Sequence, residues 1–340
     1  MNIHEKYINK CIKLGKLGIG KTYPNPSVGC CLVINDKVIG KGFTSEAGGN
    51  HAEVNAINSV KNKSLIKHST IYVTLEPCCH YGKTPPCVDK IISVGIKKVV
   101  IGIKDPNPLV CGKGIQKLID NGIEVISGVL KDECIKHHKR FINFIINKRP
   151  YIILKWAETA DGFIAPKYKE TNKPYWISNL KSRKLVHKWR SEEQAILVGA
   201  KTIRYDDPRL TTRDWDGKNC DVYIISKNGI KKNYKIFKQN LNVNVLDDHE
   251  INFDKDVVKQ ICKRLYNDKI LSVIIEGGTE TLLNFIKHGF WNEMRIFKSN
   301  QKILEGIKGP EITLTPDKRV YIGNNTLNYY LNNSETFSNI

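Results

Sequence analysis

One imidazole, one carboxylate and two thiols stand close together in this chain: His51-Ala52-Glu53, then Glu76-Pro77-Cys78, then Thr84-Pro85-Pro86-Cys87. An imidazole and two thiolates suit a tetrahedral zinc ion whose fourth position is left to water. Zinc lowers the pKa of that water to about 7, and a carboxylate two residues from the imidazole can carry its protons. His51, Cys78 and Cys87 are therefore the expected ligands of one Zn2+ per chain, and Glu53 is expected to act as the acid and base rather than as a ligand. A purely structural zinc site ordinarily has four protein ligands, and three are well placed here. Cys79 stands as an alternative to Cys78, or as a fourth ligand that would close the site. Cys78 is preferred because it directly follows the proline at a strand end.

The elements that must hold these residues follow from the surrounding pattern. Gly48-Gly49-Asn50 is turn chemistry, and residues 51–60 have helical spacing, which puts His51 and Glu53 in a first turn facing one pocket. Residues 70–75 are apolar and β-branched, the composition of a buried strand ending at Glu76-Pro77 with Cys78 at its exit. After a loop rich in glycine and proline, Pro86-Cys87 opens another helical run, with proline where its missing N–H costs little. Both sulfurs then approach helix starts, where the dipole favours thiolate over thiol.

The 340 residues are enough for two domains, each with its own core. Eight of the ten cysteines fall before residue 135, some as adjacent pairs, and no secretory leader is expected ahead of them. That distribution argues against a disulfide framework and for a reducing, cytoplasmic setting. No apolar run is long enough to span a bilayer. The net charge of +20 would attract phosphates, yet the lysines are scattered, with neither an arginine-rich run nor the aromatic-basic clusters that stack single strands. The charge reads as a solvated surface with some value for a phosphorylated small substrate; no nucleic-acid or membrane partner is expected.

Residues 3–18 predict an amphipathic helix, followed by Tyr23-Pro24-Asn25-Pro26, where two prolines stiffen the backbone around an amide. Residues 30–34 and 38–43 predict a hairpin across Asn35-Asp36. The strand at 70–75, the helix after Cys87, a strand at 98–102, a helix at 114–121 and a strand at 123–126 alternate as one α/β/α domain ending near residue 145. Asp105-Pro106-Asn107-Pro108 is a loop at a strand end, where site walls are often built.

His51-Ala52-Glu53 with Glu76-Pro77-Cys78 and Thr84-Pro85-Pro86-Cys87 resembles the bacterial bifunctional riboflavin-biosynthesis family, a pyrimidine deaminase joined to a reductase. Cytidine and adenosine deaminases usually separate their two cysteines by two residues; eight intervene here, which resembles the riboflavin deaminases. The resemblance implies that Asn25, His80 and Lys83 bind the base and phosphate of the substrate.

Residues 147–150 make a short polar join, after which the pattern restarts with strands at 151–156, 195–198, 221–225 and 271–275 and a helix at about 180–190. The last strand runs into Glu276-Gly277-Gly278 and a helix, which would let backbone N–H groups approach a pyrophosphate; the G-x-G-x-x-G fingerprint is absent. Ala157 to Gly162, Trp176, Gly199 to Thr211, Arg213 and Glu276-Gly277-Gly278 occur in the order seen in the reductase half of the same family, which is similar to dihydrofolate reductase in fold and uses NADPH. Carried over, the resemblance implies that Ala157, Trp176, Thr202, Asp206, Ser226, Gly278, Thr279, Glu280, Thr281, Leu282, Leu283 and Asn284 line the NADPH site. It implies likewise that Arg190, Leu210, Arg213 and Glu276 hold the phosphorylated substrate, guanidinium suiting phosphate and carboxylate suiting sugar hydroxyls. Pro174 stands where the family often has a polar substrate-binding side chain. Residues 295–309 depart from the family's usual pattern, and the Asn-rich tail beyond about 323 is expected to be loosely ordered.

The expected fold class is α/β: a cytidine-deaminase-like α/β/α domain over residues 1–146, zinc-dependent, then a dihydrofolate-reductase-like α/β domain over 147–340, NADPH-dependent. The implied reactions are deamination of 2,5-diamino-6-ribosylamino-4(3H)-pyrimidinone 5′-phosphate and reduction of its ribosyl side chain to ribityl, in a cytoplasmic homo-oligomer. Two rivals are a monofunctional deaminase acting on RNA through a basic second half, and a non-catalytic, zinc-stabilised interaction protein.

Overall fold

The first helix, α1 (Ile3–Gly15), starts on a capping box: the Asn2 side chain accepts from the Glu5 amide, and the Glu5 carboxylate from the Asn2 amide. Its apolar stripe buries Tyr7, Ile8, Cys11 and Ile12. The structure, a computed structural model, describes residues 2–168 and 175–332. The chain divides into two compact units, one ending at Lys148 and the next beginning at Arg149. Pro174 and residues 333–340 lie outside the described residues.

In the first unit β1 (Gly29–Ile34) and β2 (Lys37–Phe43) form a hairpin whose turn residues, Asn35 and Asp36, have φ of 45° and 56°, the hand that matches strand twist. β1 pairs antiparallel with β3 (Thr70–Leu75), and β3, β4 (Lys98–Ile103) and β5 (Glu124–Ser127) run parallel, giving the order β2-β1-β3-β4-β5. Helices α2 (Ala52–Asn58), α3 (Cys87–Ser93) and α4 (Lys113–Asp120) connect the strands. α5 (Lys131–Asn147), absent from the elements expected above, buries Cys134, His138, Phe141 and Ile142. This topology brings the start of β1 and the ends of β3 and β4 to one edge of the sheet; the Gly29 amide donates to Thr74 Oγ1 over 3.2 Å.

The second unit is built on an eight-stranded sheet. Its strands are β6 (Tyr151–Glu158), β8 (Ala195–Gly199), β9 (Asp221–Ile225), β10 (Val243–Leu246), β11 (Ser272–Ile275), β12 (Glu293–Ser299), β14 (Lys318–Ile322) and β15 (Asn325–Leu331), in the order β10-β9-β8-β11-β6-β12-β15-β14. From β10 to β12 the pairings are parallel; β15 and β14 add an antiparallel edge. β7 (Phe163–Pro166) and β13 (Gly306–Lys308) form a separate two-stranded ribbon. Helices α6 (Leu180–Glu192), α7 (Ala200–Asp206), α8 (Val257–Asn267) and α9 (Thr279–Lys287) complete the unit. Leu154, Leu197, Ile261, Leu265, Phe285 and Met294 belong to its largest buried cluster.

The expectation of a loosely ordered tail beyond about residue 323 is corrected as far as Asn332. β15 pairs with β12 along seven residues and buries Leu327 and Tyr330. Its asparagines are not a solvated run: Asn325 is 2% exposed and its Oδ1 accepts from the Asn179 amide and the Ser182 hydroxyl. The departing stretch 295–309 supplies much of β12 and all of β13. Among the described residues no helix is long and apolar enough to cross a membrane.

Candidate active sites

In the first unit His51 is the N-cap of α2, in an extended conformation one step outside the helix, and Glu53 is the second helical residue. Cys78 lies just past β3, and Cys87 is the first residue of α3. His51 Nδ1 is 3.5 Å from Cys78 Sγ and 3.3 Å from Cys87 Sγ. Among the described residues these form the one group of three or more potential ligands whose donor atoms lie within 4.8 Å of one another. A tetrahedral zinc site puts nitrogen and sulfur about 3.6 Å apart, so the donor set fits the ion in both chemistry and spacing. Cys79 is not in the group; its sulfur faces the Leu109 carbonyl oxygen at 3.8 Å.

The surroundings orient the same three side chains. The Cys87 amide donates to Cys78 Sγ over 3.4 Å, and the Val88 amide to the Cys78 carbonyl over 3.2 Å, so the start of α3 grips the Cys78 turn. His51 Nε2, on the far side of the ring, is 3.5 Å from Thr84 Oγ1. Cys87 and His51, bonding to Cys78, hold it down at about 4 against the effect of burial, whereas the bond with Cys78 and then burial push Cys87 well above the usual thiol range. Glu53, 4% exposed, is pushed up to about 7 by burial and then by Cys78. His51 is raised by its bond to Cys78.

Asn25 is half-buried in the loop leading into β1, at the sheet edge where β3 ends. His80 and Lys83 are exposed on the loop between the two cysteines.

In the second unit two adjoining clefts gather most of the positions assigned to the cofactor. Ala157, Trp176, Thr202, Asp206, Gly278, Thr279, Glu280 and Leu282 line a cleft of 760 Å³. Thr202, Ser226, Gly278, Glu280, Thr281 and Asn284 line one of 440 Å³. Leu283 lines neither and is 44% exposed. Gly277 follows β11 so closely to β8 that a Cβ would sit 3.1 Å from Val198 Cα and 3.2 Å from Thr202 Oγ1. Gly278, the N-cap of α9 with φ of 45°, puts no side chain on the first-turn amides, which leaves them to an anion. Cleft volume, glycine turn and uncapped helix together fit a dinucleotide.

Arg190, Leu210, Arg213 and Glu276 all line a third cleft of 360 Å³, which meets the first along Lys155, Trp176, Ser178, Thr202, Asp206 and Glu276. Arg183, Arg209 and Lys235 line it too, so it carries a strong excess of cations. Burial and the like charges of Arg190, Arg209 and Arg183 pull Arg213 below the usual guanidinium range, against the pull of Asp214. Arg190 and Glu276 do not stand free; they bond to each other, and Arg190 Nη1 donates to the Thr211 carbonyl over 3.2 Å. Arg209 stood inside the stretch Gly199 to Thr211 without a role assigned to it, and Lys155, Arg183 and Lys235 were not singled out from sequence. Lys155 alone carried a signal, as the one charge inside the apolar run Tyr151 to Trp156.

Residues 1–103 match the family described as the cytidine and deoxycytidylate deaminase zinc-binding region, and residues 150–310 match the RibD C-terminal domain. The riboflavin biosynthesis protein RibD of Aquifex aeolicus is 36% identical over 329 residues, covering 90% of this chain and 89% of that protein. The chain belongs to the RibD family. RibD of Bacillus amyloliquefaciens is 35% identical over 87% of this chain and 84% of its own. The crystal structure of a diaminohydroxyphosphoribosylaminopyrimidine deaminase/5-amino-6-(5-phosphoribosylamino)uracil reductase from Thermotoga maritima superposes with a TM-score of 0.85 at 36% identity, covering 96% of this chain and 97% of that one. Membership of the RibD family makes this chain a bifunctional enzyme of riboflavin biosynthesis, a deaminase with a zinc-binding region followed by a reductase, and disfavours an RNA deaminase.

Proposed function

We propose that residues 1–146 deaminate 2,5-diamino-6-ribosylamino-4(3H)-pyrimidinone 5′-phosphate and that residues 147–340 reduce the ribosyl side chain of the product to ribityl with NADPH, in a cytoplasmic homo-oligomer. The observation that carries the first half is the His51, Cys78 and Cys87 group with buried Glu53 beside it. One zinc ion held there supplies the Lewis acidity that lets water attack an aminopyrimidine carbon at neutral pH. Glu53 takes one proton from the attacking water and gives it to the ring nitrogen, then takes the second from the added hydroxyl and gives it to the amine that leaves as ammonia. Asn25, His80 and Lys83 hold the base and phosphate.

For the second half, support comes from a cationic cleft opening into a larger one that ends on the glycine turn and α9. NADPH supplies the hydride. Thr202, Asp206, Ser226, residues 278–282 and Asn284 bind its length, with Ala157 and Trp176 at the end nearer the substrate. Arg213 and the Leu210 turn take the phosphate, while the Arg190 and Glu276 pair shapes the ribose end. The work of these residues is alignment, since the reacting atoms belong to substrate and cofactor.

The test is to supply the diaminopyrimidine phosphate with NADPH and follow both products. Ammonia and NADP+ should appear in equal amounts. Ammonia release without any NADPH oxidation removes the reductive half of the proposal.

A further inference from the structure

Glu76, the first residue beyond β3, is 3% exposed, and its carboxylate is satisfied by backbone amides alone. Oε2 accepts from the Asp105 amide at 3.1 Å and the Gly112 amide at 2.9 Å; Oε1 accepts from the Ile115 amide at 3.1 Å. Its own amide donates to the Ile103 carbonyl, extending the pairing of β3 with β4.

The third of these bonds is unusual in its source. Gly112 is the N-cap of α4 and has no side chain to bond the amide of the third helical residue, Ile115. Glu76 supplies that bond from another strand. Gly114, inside the first turn, lets the helix come so close that a Cβ there would collide with the Pro77 carbonyl oxygen. A serine or aspartate cap within the α4 loop would stabilise the helix locally. A cap delivered from Glu76 instead fixes the helix, the end of β4 and the exit of β3 against one another.

Cys78 is two residues further along that exit. The Cys78 turn is thus held from two sides: by α3 through the Cys87 and Val88 amides, and by α4 and the β4 end through Glu76. We infer that Glu76 is a positioning residue of the metal centre, setting where the Cys78 sulfur stands relative to His51 and Cys87 by clamping the strand exit to the loop from Asp105 to Gly112 and the start of α4. A carboxylate suits the role because it accepts several N–H groups and donates none. Glutamine would turn an NH2 group toward at least one of the three amides. The inference rests on the zinc reading of His51, Cys78 and Cys87.

The test compares the full-length chain with Glu76→Gln and with Leu118→Ala, a substitution that hollows the α4 packing without touching Glu76. Zinc affinity is read by competition with a chromophoric chelator, deamination as kcat and KM, and reductase turnover serves as an internal control on the same chain. Glu76→Gln should weaken zinc binding by about 10- to 100-fold, the range for groups that orient a ligand. Deaminase kcat at limiting zinc should fall in step, with reductase turnover unchanged. Leu118→Ala should lower the unfolding temperature while leaving zinc affinity at the wild-type value. If Glu76→Gln does not accumulate as folded chain, Glu76→Asp, which keeps the charge but withdraws it by one methylene, is compared in the same way. Wild-type zinc affinity in the glutamate variants, or an equal loss in Leu118→Ala, overturns the inference. A wild-type chain that binds no zinc overturns the metal reading as well.

Discussion

Arg190 grips both oxygens of Glu276, with Nε 3.0 Å from Oε1 and Nη2 2.7 Å from Oε2, and Lys155 Nζ stands 3.6 Å from the same Oε2. All three side chains are substantially buried. Burial opposes charge on Glu276, yet Arg190 and Lys155 outweigh it and hold the carboxyl at about 2. The pair joins α6 to the end of β11 where the cleft of 760 Å³ meets the cationic cleft of 360 Å³, so its integrity matters to the shape of both.

Glu276→Gln leaves two buried cations short of a partner, a loss of about 3–5 kcal/mol for a broken buried pair. All five tryptophans lie between residues 156 and 291, so fluorescence-monitored urea unfolding reads the second unit. Its midpoint should fall accordingly, and reductase turnover with it. Because the folded pKa lies below the unfolded value of about 4.3, the contribution of Glu276 is complete above that value and is lost as pH falls toward 2. An unchanged midpoint at pH 7 contradicts this.

His187 is depressed as well, but here the fold favours the neutral form. Its Nδ1 accepts from the Asp214 amide over 2.9 Å, and burial, then Arg190 and Arg213, depress it to about 4 against the smaller effects of Asp214 and Glu276. The unfolded imidazole takes up its proton near pH 6.5, before the folded one. Stability should therefore decline as pH drops from about 6.5 to about 4, by no more than about 3 kcal/mol, and level off below. In His187→Gln, whose side chain keeps an acceptor but cannot titrate, that decline should vanish; equal slopes in both chains would refute the assignment.

Removing zinc separates the two activities. Treatment with a strong chelator should abolish ammonia release yet leave NADPH oxidation intact when the deaminated pyrimidine is supplied directly. Zinc uptake should release protons and weaken as pH falls, because the ligands must shed theirs. Loss of both activities on chelation would mean that the metal does more than serve Glu53 and its pocket.

How much could be read beforehand varied with the range of the interaction. β3, the Cys87 helix start and the Asn35-Asp36 hairpin were legible because apolar alternation, proline placement and turn chemistry are local signals. The position of His51 just outside α2 was a small displacement of the same reading. Arg190 and Glu276 were both expected to face substrate; their mutual bond spans 86 residues and leaves no trace in either neighbourhood. Glu76 looked like a strand end, since the amides it binds belong to residues 29 to 39 positions away. β15 was misread because asparagines that look solvated in sequence are buried and bonded to α6 and its approach.

The most direct test of the account is the Glu53→Gln enzyme, assayed for zinc content, for ammonia release from the diaminopyrimidine phosphate, and for NADPH oxidation on the deaminated product. One zinc per chain, deamination reduced by about 10²- to 10⁴-fold and wild-type reduction are predicted. Deamination at the wild-type rate, or loss of the zinc together with the activity, would contradict the assignment of Glu53 as the group that moves the protons.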